Sequence, residues 1–96
     1  MPTPLVRRIL RSKNIKYRFR SLGRENAQAQ INGNLIEIDL KRSSPPVRNL
    51  LHEALHYYLP DTSHKEIYTM ESDEWAKLDN RTAARLYRKM FKSKLI

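Results

Sequence analysis

The segment LLHEALHYYLP, residues 50–60, carries two of the chain's three histidines, His52 and His56, with Glu53 directly after the first. On a helix, residues four apart lie on one face, one turn above the other. Both imidazoles can then aim a ring nitrogen at a single ion, and Glu53 sits beside the same cleft. Zinc chemistry uses this arrangement: two neutral imidazoles hold the ion, leave it open to water and let it lower that water's pKa towards 7. A neighbouring carboxylate takes the proton as the water attacks a carbonyl, then passes it to the leaving amine. A chance His-Glu-x-x-His match in so short a chain is expected on the order of a few times per thousand sequences. Context adds to it, because the match falls on a well-capped helix after a sheet and the histidines are offset from the apolar face. The motif reads as a metal site rather than as a surface helix with two idle histidines.

The elements that must position it follow from local pattern. Pro2 to Arg11 is expected to be a short helix, with Leu5, Val6, Ile9 and Leu10 at helical spacing. In NIKYRFRSLG, Ile15, Tyr17 and Phe19 alternate with Lys16, Arg18 and Arg20, a half-buried strand with a basic outer face, closed by Gly23. In AQAQINGNLIEIDL, Asn32-Gly33 is the favoured two-residue hairpin turn. It places Ile31 opposite Asn34, Ala29 opposite Ile36 and Ala27 opposite Ile38. Three antiparallel strands are expected, near residues 15–21, 26–31 and 34–40. Ser44 is expected to cap the histidine helix, with Pro45 at its first position and Pro60 at its end. Val47, Leu50, Leu51, Ala54, Leu55 and Tyr58 form its core side. Ser63 and Glu66 make a capping-box pair for a second helix reaching about Leu78. Asn80 is expected to cap a third, packed through Ala83, Ala84, Tyr87, Met90, Phe91 and Leu95. The expected fold is α+β: an N-terminal helix, a three-stranded antiparallel sheet, the histidine helix and two further helices, in one domain over residues 1–96.

HEALH on a helix after a three-stranded sheet resembles the zincin metallopeptidases, most nearly the small SprT-like and minigluzincin-type domains of prokaryotes and phages. The resemblance in layout covers most of the chain, but its specific part is residues 50 to about 71. It implies one zinc ion per chain held by His52 and His56, with Glu53 as general base, acting on a peptide or protein substrate. It also implies that the strand before the zinc helix, Leu35 to Leu40, pairs with extended substrate through the backbone at Ile36 and Ile38. Zincins take a third ligand from downstream, a glutamate on the next helix or a third histidine. The second helix offers both on one inward stripe of His64, Ile67, Tyr68, Glu71, Trp75 and Leu78. His64 is preferred, with Glu71 as its supporting partner or as the true ligand. The eight-residue step from His56 to His64 matches neither the metzincin spacing nor a long glutamate-helix linker. In minigluzincin-type relatives a chain terminus can cover the cleft, so KSKLI at residues 92–96 is a candidate latency segment. Tyr57, Tyr58 and Tyr68 are near enough to face an oxyanion, but packing is the simpler role for each.

The chain has 96 residues, a net charge of +9 and no cysteine, so a metal must be held by His, Asp or Glu. A structural zinc site usually closes with four ligands, some of them cysteines, which disfavours that alternative. The absence of an apolar span or signal-like stretch leads us to expect a cytoplasmic protein without a membrane partner. Residues 1–24 carry eight Lys/Arg and no acid, residues 81–96 carry six and no acid, and the stretch from Asp61 to Asp79 is acidic. Basic ends can hold nucleic acid, which gives a second functional class, a nucleic-acid-associated zinc module acting on or near DNA-bound proteins as SprT-like relatives do. A solvated basic surface is the plain alternative. Tyr17 and Phe19 are expected to point inward, which argues against base stacking on the strand.

Overall fold

A computed structural model describes residues 2–23, 29–41 and 45–93 of the chain. Its elements are α1 (Pro4–Arg11), β1 (Lys16–Phe19), β2 (Ala29–Asn32), β3 (Leu35–Ile38), α2 (Pro46–Tyr58), α3 (His64–Lys77) and α4 (Asn80–Lys92), an α+β fold. Thr3 caps α1 by accepting from the Val6 amide, and its hydroxyl also donates to Glu74, tying the start of the chain to α3.

The sheet is mixed, not purely antiparallel. Its order is β1-β3-β2, with β1 parallel to β3 and β2 antiparallel to it. The expectation of successive antiparallel neighbours fails because nine residues separate Phe19 from Ala29, too many for a tight hairpin. Charge pairing favours the arrangement found. Glu37 lies opposite Arg18 in β1 and Gln30 in β2, and it accepts from the Arg20 guanidinium and from Gln30 at 2.8 Å. These donors hold the buried Glu37 carboxyl below the usual glutamate range, the Arg20 hydrogen bond being the largest cause.

The β2–β3 turn is centred one residue later than expected. Gly33 and Asn34 form the loop, and Gly33 has φ 60°, a conformation that glycine adopts without penalty. Ile31 therefore faces Ile36, and Ala29 faces Ile38. The register moves by two positions, so the same side chains still point inward. Ala27 lies outside the described residues.

Ile36 and Ile38 join Ile15, Tyr17, Val47, Leu50, Leu51 and Ala54 in one buried core, which Val6 and Ile9 of α1 and Leu86 and Met90 of α4 complete. Three helix starts and faces differ from expectation. Pro45 takes the cap position of α2 with Pro46 following, and Ser44 lies outside the described residues. Asp79, not Asn80, caps α4, its carboxylate accepting from the Thr82 amide at 2.6 Å. Of the residues expected to pack, Met90 is buried and Tyr87 is half-buried against the core, whereas Ala84 and Phe91 are exposed; Thr82 and Leu86 complete the buried face, and Leu95 lies outside the described residues. No helix among the described residues is long and apolar enough to cross a membrane.

Candidate metal centre

α2 runs thirteen residues over the sheet and buries Val47, Leu50, Leu51, Ala54 and Leu55, which fixes its rotation. His52 and His56 then lie at the border between core and solvent, both half-buried. The chain reverses immediately after α2. The Leu59 amide closes the helix on the Leu55 carbonyl at 2.8 Å, and the Thr62 amide bonds back to the Leu59 carbonyl at 3.1 Å. Ser63 then starts α3 by accepting from the Glu66 amide at 3.3 Å. This tight reversal lays the first turn of α3 against the last turns of α2 and brings His64 over His56, their ring centroids 4.6 Å apart.

The three histidines converge. One ring nitrogen from each of His52, His56 and His64 lies within 4.8 Å of the others. The Nε2 atoms of His52 and His56 are 3.1 Å apart. Two ligands at zinc–nitrogen bond lengths and a tetrahedral angle would stand about 3.3 Å apart, so this spacing suits a shared ion. Burial, together with His52 and His64 nearby, pushes the His56 pKa down, which favours the neutral, ligating form.

Glu71 does not point at the cluster. Its Oε1 lies 2.7 Å from His52 Nδ1, the ring nitrogen on the side away from His56, while its Oε2 accepts from Arg48 Nε at 2.6 Å. Both oxygens are engaged, so Glu71 offers no free oxygen to the cluster, and it is His64 whose ring nitrogen converges with those of His52 and His56. Binding Nδ1–H to a carboxylate leaves the Nε2 lone pair of His52 for a metal. Arg48 in turn reaches Ser72 Oγ at 3.4 Å and lies 5.8 Å from the Trp75 ring centroid. Arg48 escaped the sequence reading, although Arg48, His52 and His56 at successive four-residue steps form one visible stripe.

Glu53 is the unusual member. It is buried with the apolar side of α2, and its Oε2 has no hydrogen-bond partner among the described residues. Burial first, and the charge of Glu71 second, push its pKa up to about 7. Asn49, one turn earlier on the helix, likewise has a buried Nδ2 without a partner among the described residues. This buried carboxylate with an unpartnered oxygen directly follows His52 in the sequence, and three imidazoles are a donor set that suits a borderline ion such as zinc. The inward stripe expected for α3 holds at four of its six positions. Ile67 and Glu71 are buried and Trp75 and Leu78 pack on the core, whereas His64 and Tyr68 are exposed. Tyr68 flanks the centre, its ring centroid 4.9 Å from that of His52.

The expected substrate-pairing positions do not survive. β3 lies in the middle of the sheet, with β1 on one side and β2 on the other, and Ile36 and Ile38 are wholly buried. Its backbone groups are already spent on those neighbours, so no peptide can pair there. Of the candidate latency segment, Lys92 ends α4, and residues 94–96 lie outside the described residues. No family model matches the sequence, and neither the curated proteins nor the solved structures contain a significant match to it.

Proposed function

We propose that the chain is a zinc-dependent peptidase of zincin type, with His52, His56 and His64 as ligands and Glu53 as general base. The observation that carries this reading is the pairing of three convergent imidazoles with a buried carboxylate whose Oε2 is unpartnered among the described residues. Zinc bound there would supply Lewis acidity and a water acidic enough to deprotonate near neutral pH. Glu53 takes a proton as water attacks the peptide carbonyl and returns it to the departing amine. Its burial among apolar groups keeps the carboxylate poorly solvated, which favours its taking up a proton. Glu71 and Arg48 hold the His52 ring in place throughout. Tyr68 is exposed beside the His52 ring, within reach of a substrate bound at the cluster. Extended substrate would pair with the outer edge of β2, which packs on α2 and has no further strand beside it among the described residues.

The test combines metal analysis with peptide cleavage. One zinc per chain is expected in the wild type, lost in His52→Ala, His56→Ala and His64→Ala. Glu53→Gln is expected to keep the metal and lose cleavage of an unstructured protein such as casein. A wild type that takes up no zinc on reconstitution, or a Glu53→Gln variant that cleaves like wild type, defeats the proposal.

A further inference from the structure

We propose that the outer faces of α4 and α1 form a docking surface for the phosphate backbone of nucleic acid, on different elements from the histidine cluster. Core packing sets the rotation of α4 by burying Thr82, Leu86 and Met90. Arg81, Arg85, Arg88 and Lys92 then fall on a second stripe, at steps of four, three and four residues, and all four are exposed. At 100° per residue this stripe stands roughly 130° from the buried one and runs about 16 Å along the helix. Neither α4 nor α1 contains an acidic residue. Arg85, Arg88 and Lys92 are in no ion pair among the described residues, while Asp79 at the cap is the acid that acts on Arg81.

Folding brings the two basic ends of the chain together. α1 packs beside α4, and the Lys89 ammonium donates to the Ser12 carbonyl at 2.6 Å. Burial of Val6 and Ile9 turns Arg7, Arg8 and Arg11 outward. The acids of the 61–79 stretch lie on α3 and its flanking turns, and Asp73 and Glu74 reach the start of α1, where they line one pocket with Arg8, so the acid-free stripe of α4 carries most of the surface and α1 adds Arg7 and Arg11. Duplex DNA presents a charge about every 1.7 Å, and arginine forks suit phosphate oxygens. An anionic lipid surface is the weaker match, since interfacial helices also insert apolar side chains. In α1 these are buried or half-buried, and the exposed Phe91 of α4 is stacked on Phe19 at 4.8 Å. That stacking also covers a ring face that bases would need, so the surface reads backbone and not sequence.

The experiment titrates the full-length chain into a labelled short DNA duplex of mixed sequence while salt is varied, and zinc content plays no part in the readout. With four phosphate contacts, affinity should fall about 100-fold between 50 and 200 mM salt. Arg85→Glu/Arg88→Glu should lose about 100-fold at low salt and flatten the salt slope by about two units or more. The matched pair Lys65→Glu/Lys77→Glu on α3, with the same change in net charge, should bind within about threefold of wild type. Should the glutamate pair fail to fold, Arg85→Gln/Arg88→Gln reads the same slope change. Equal losses in the α4 and α3 pairs would show a net-charge effect and overturn the proposal. So would binding to phosphatidylserine vesicles without binding to the duplex, or no duplex binding at 50 mM salt.

Discussion

Replacing Glu71 should weaken zinc binding without abolishing it, by about tenfold for Glu71→Gln and about 100-fold for Glu71→Ala. The magnitude follows from what the carboxylate touches. Oε1 lies 2.7 Å from His52 Nδ1, and Oε2 accepts from Arg48 at 2.6 Å. Glutamine keeps an acceptor for the imidazole N–H but loses the charge, which removes the charge-assisted part of the bond, about 1–1.5 kcal/mol. Alanine removes the whole bond and frees the His52 ring to rotate, for a total of about 2.7 kcal/mol, the free energy of a 100-fold change. A true ligand behaves differently, and His64→Ala should reduce affinity well beyond 100-fold. The assay is competition against a chromophoric zinc chelator at pH 7.5, with Arg48→Gln as a third variant expected to resemble Glu71→Gln. The reasoning is refuted if Glu71→Ala loses zinc as completely as His52→Ala while His64→Ala retains it. That outcome would make Glu71 the ligand and His64 an exposed bystander.

In the metal-free protein, Glu53 should make stability fall as pH rises from about 4.5 to 7, by about 3 kcal/mol at most. The folded state holds the proton to a higher pH than the unfolded chain does, so the contribution is intact below pH 4.5 and gone above 7. Urea unfolding in chelator across this range should show the slope, and Glu53→Gln should flatten it; an unchanged slope in the variant would refute the assignment. Glu37 acts in the opposite sense, because its depressed pKa stabilises the fold above the usual glutamate range and that contribution is lost on acidification. Arg20→Ala leaves this carboxylate buried with weaker partners and should cost about 2 kcal/mol in the same assay, and a loss under 0.5 kcal/mol would mean that Gln30 and Arg18 suffice. Leu86→Ala opens a void in the core where α4 meets α1 and α2 and should cost about 3 kcal/mol, against well under 1 for the exposed Ala84→Ser.

The sequence by itself determined the helices, the shared face of the histidine pair and the inward faces of the strands, because each is written in local periodicity. His52 and His56 share a face wherever that segment is helical, and Ile15 and Tyr17 point away from Lys16 and Arg18 in any extended chain. Ser63 at the start of α3 is likewise a short-range signal. Long-range pairing was not legible. Nothing local shows that β1 skips β2 to lie parallel to β3, and that one choice removes Ile36 and Ile38 from any substrate role by spending both edges of their strand. The role of Glu71 was equally open, because periodicity places a residue on a face without saying which nitrogen of which ring it will meet. Only the short reversal at Leu59–Ser63, which sets α3 against α2, puts His64 over His56 and the carboxylate behind His52. The rotation of α4 was misread for a related reason. Its apolar residues fit more than one stripe, and contact with α1 and α2 selected Leu86 and Met90, turning the arginines to solvent. Local chemistry thus names the residues able to act, and packing between distant segments decides which atoms of those residues face one another.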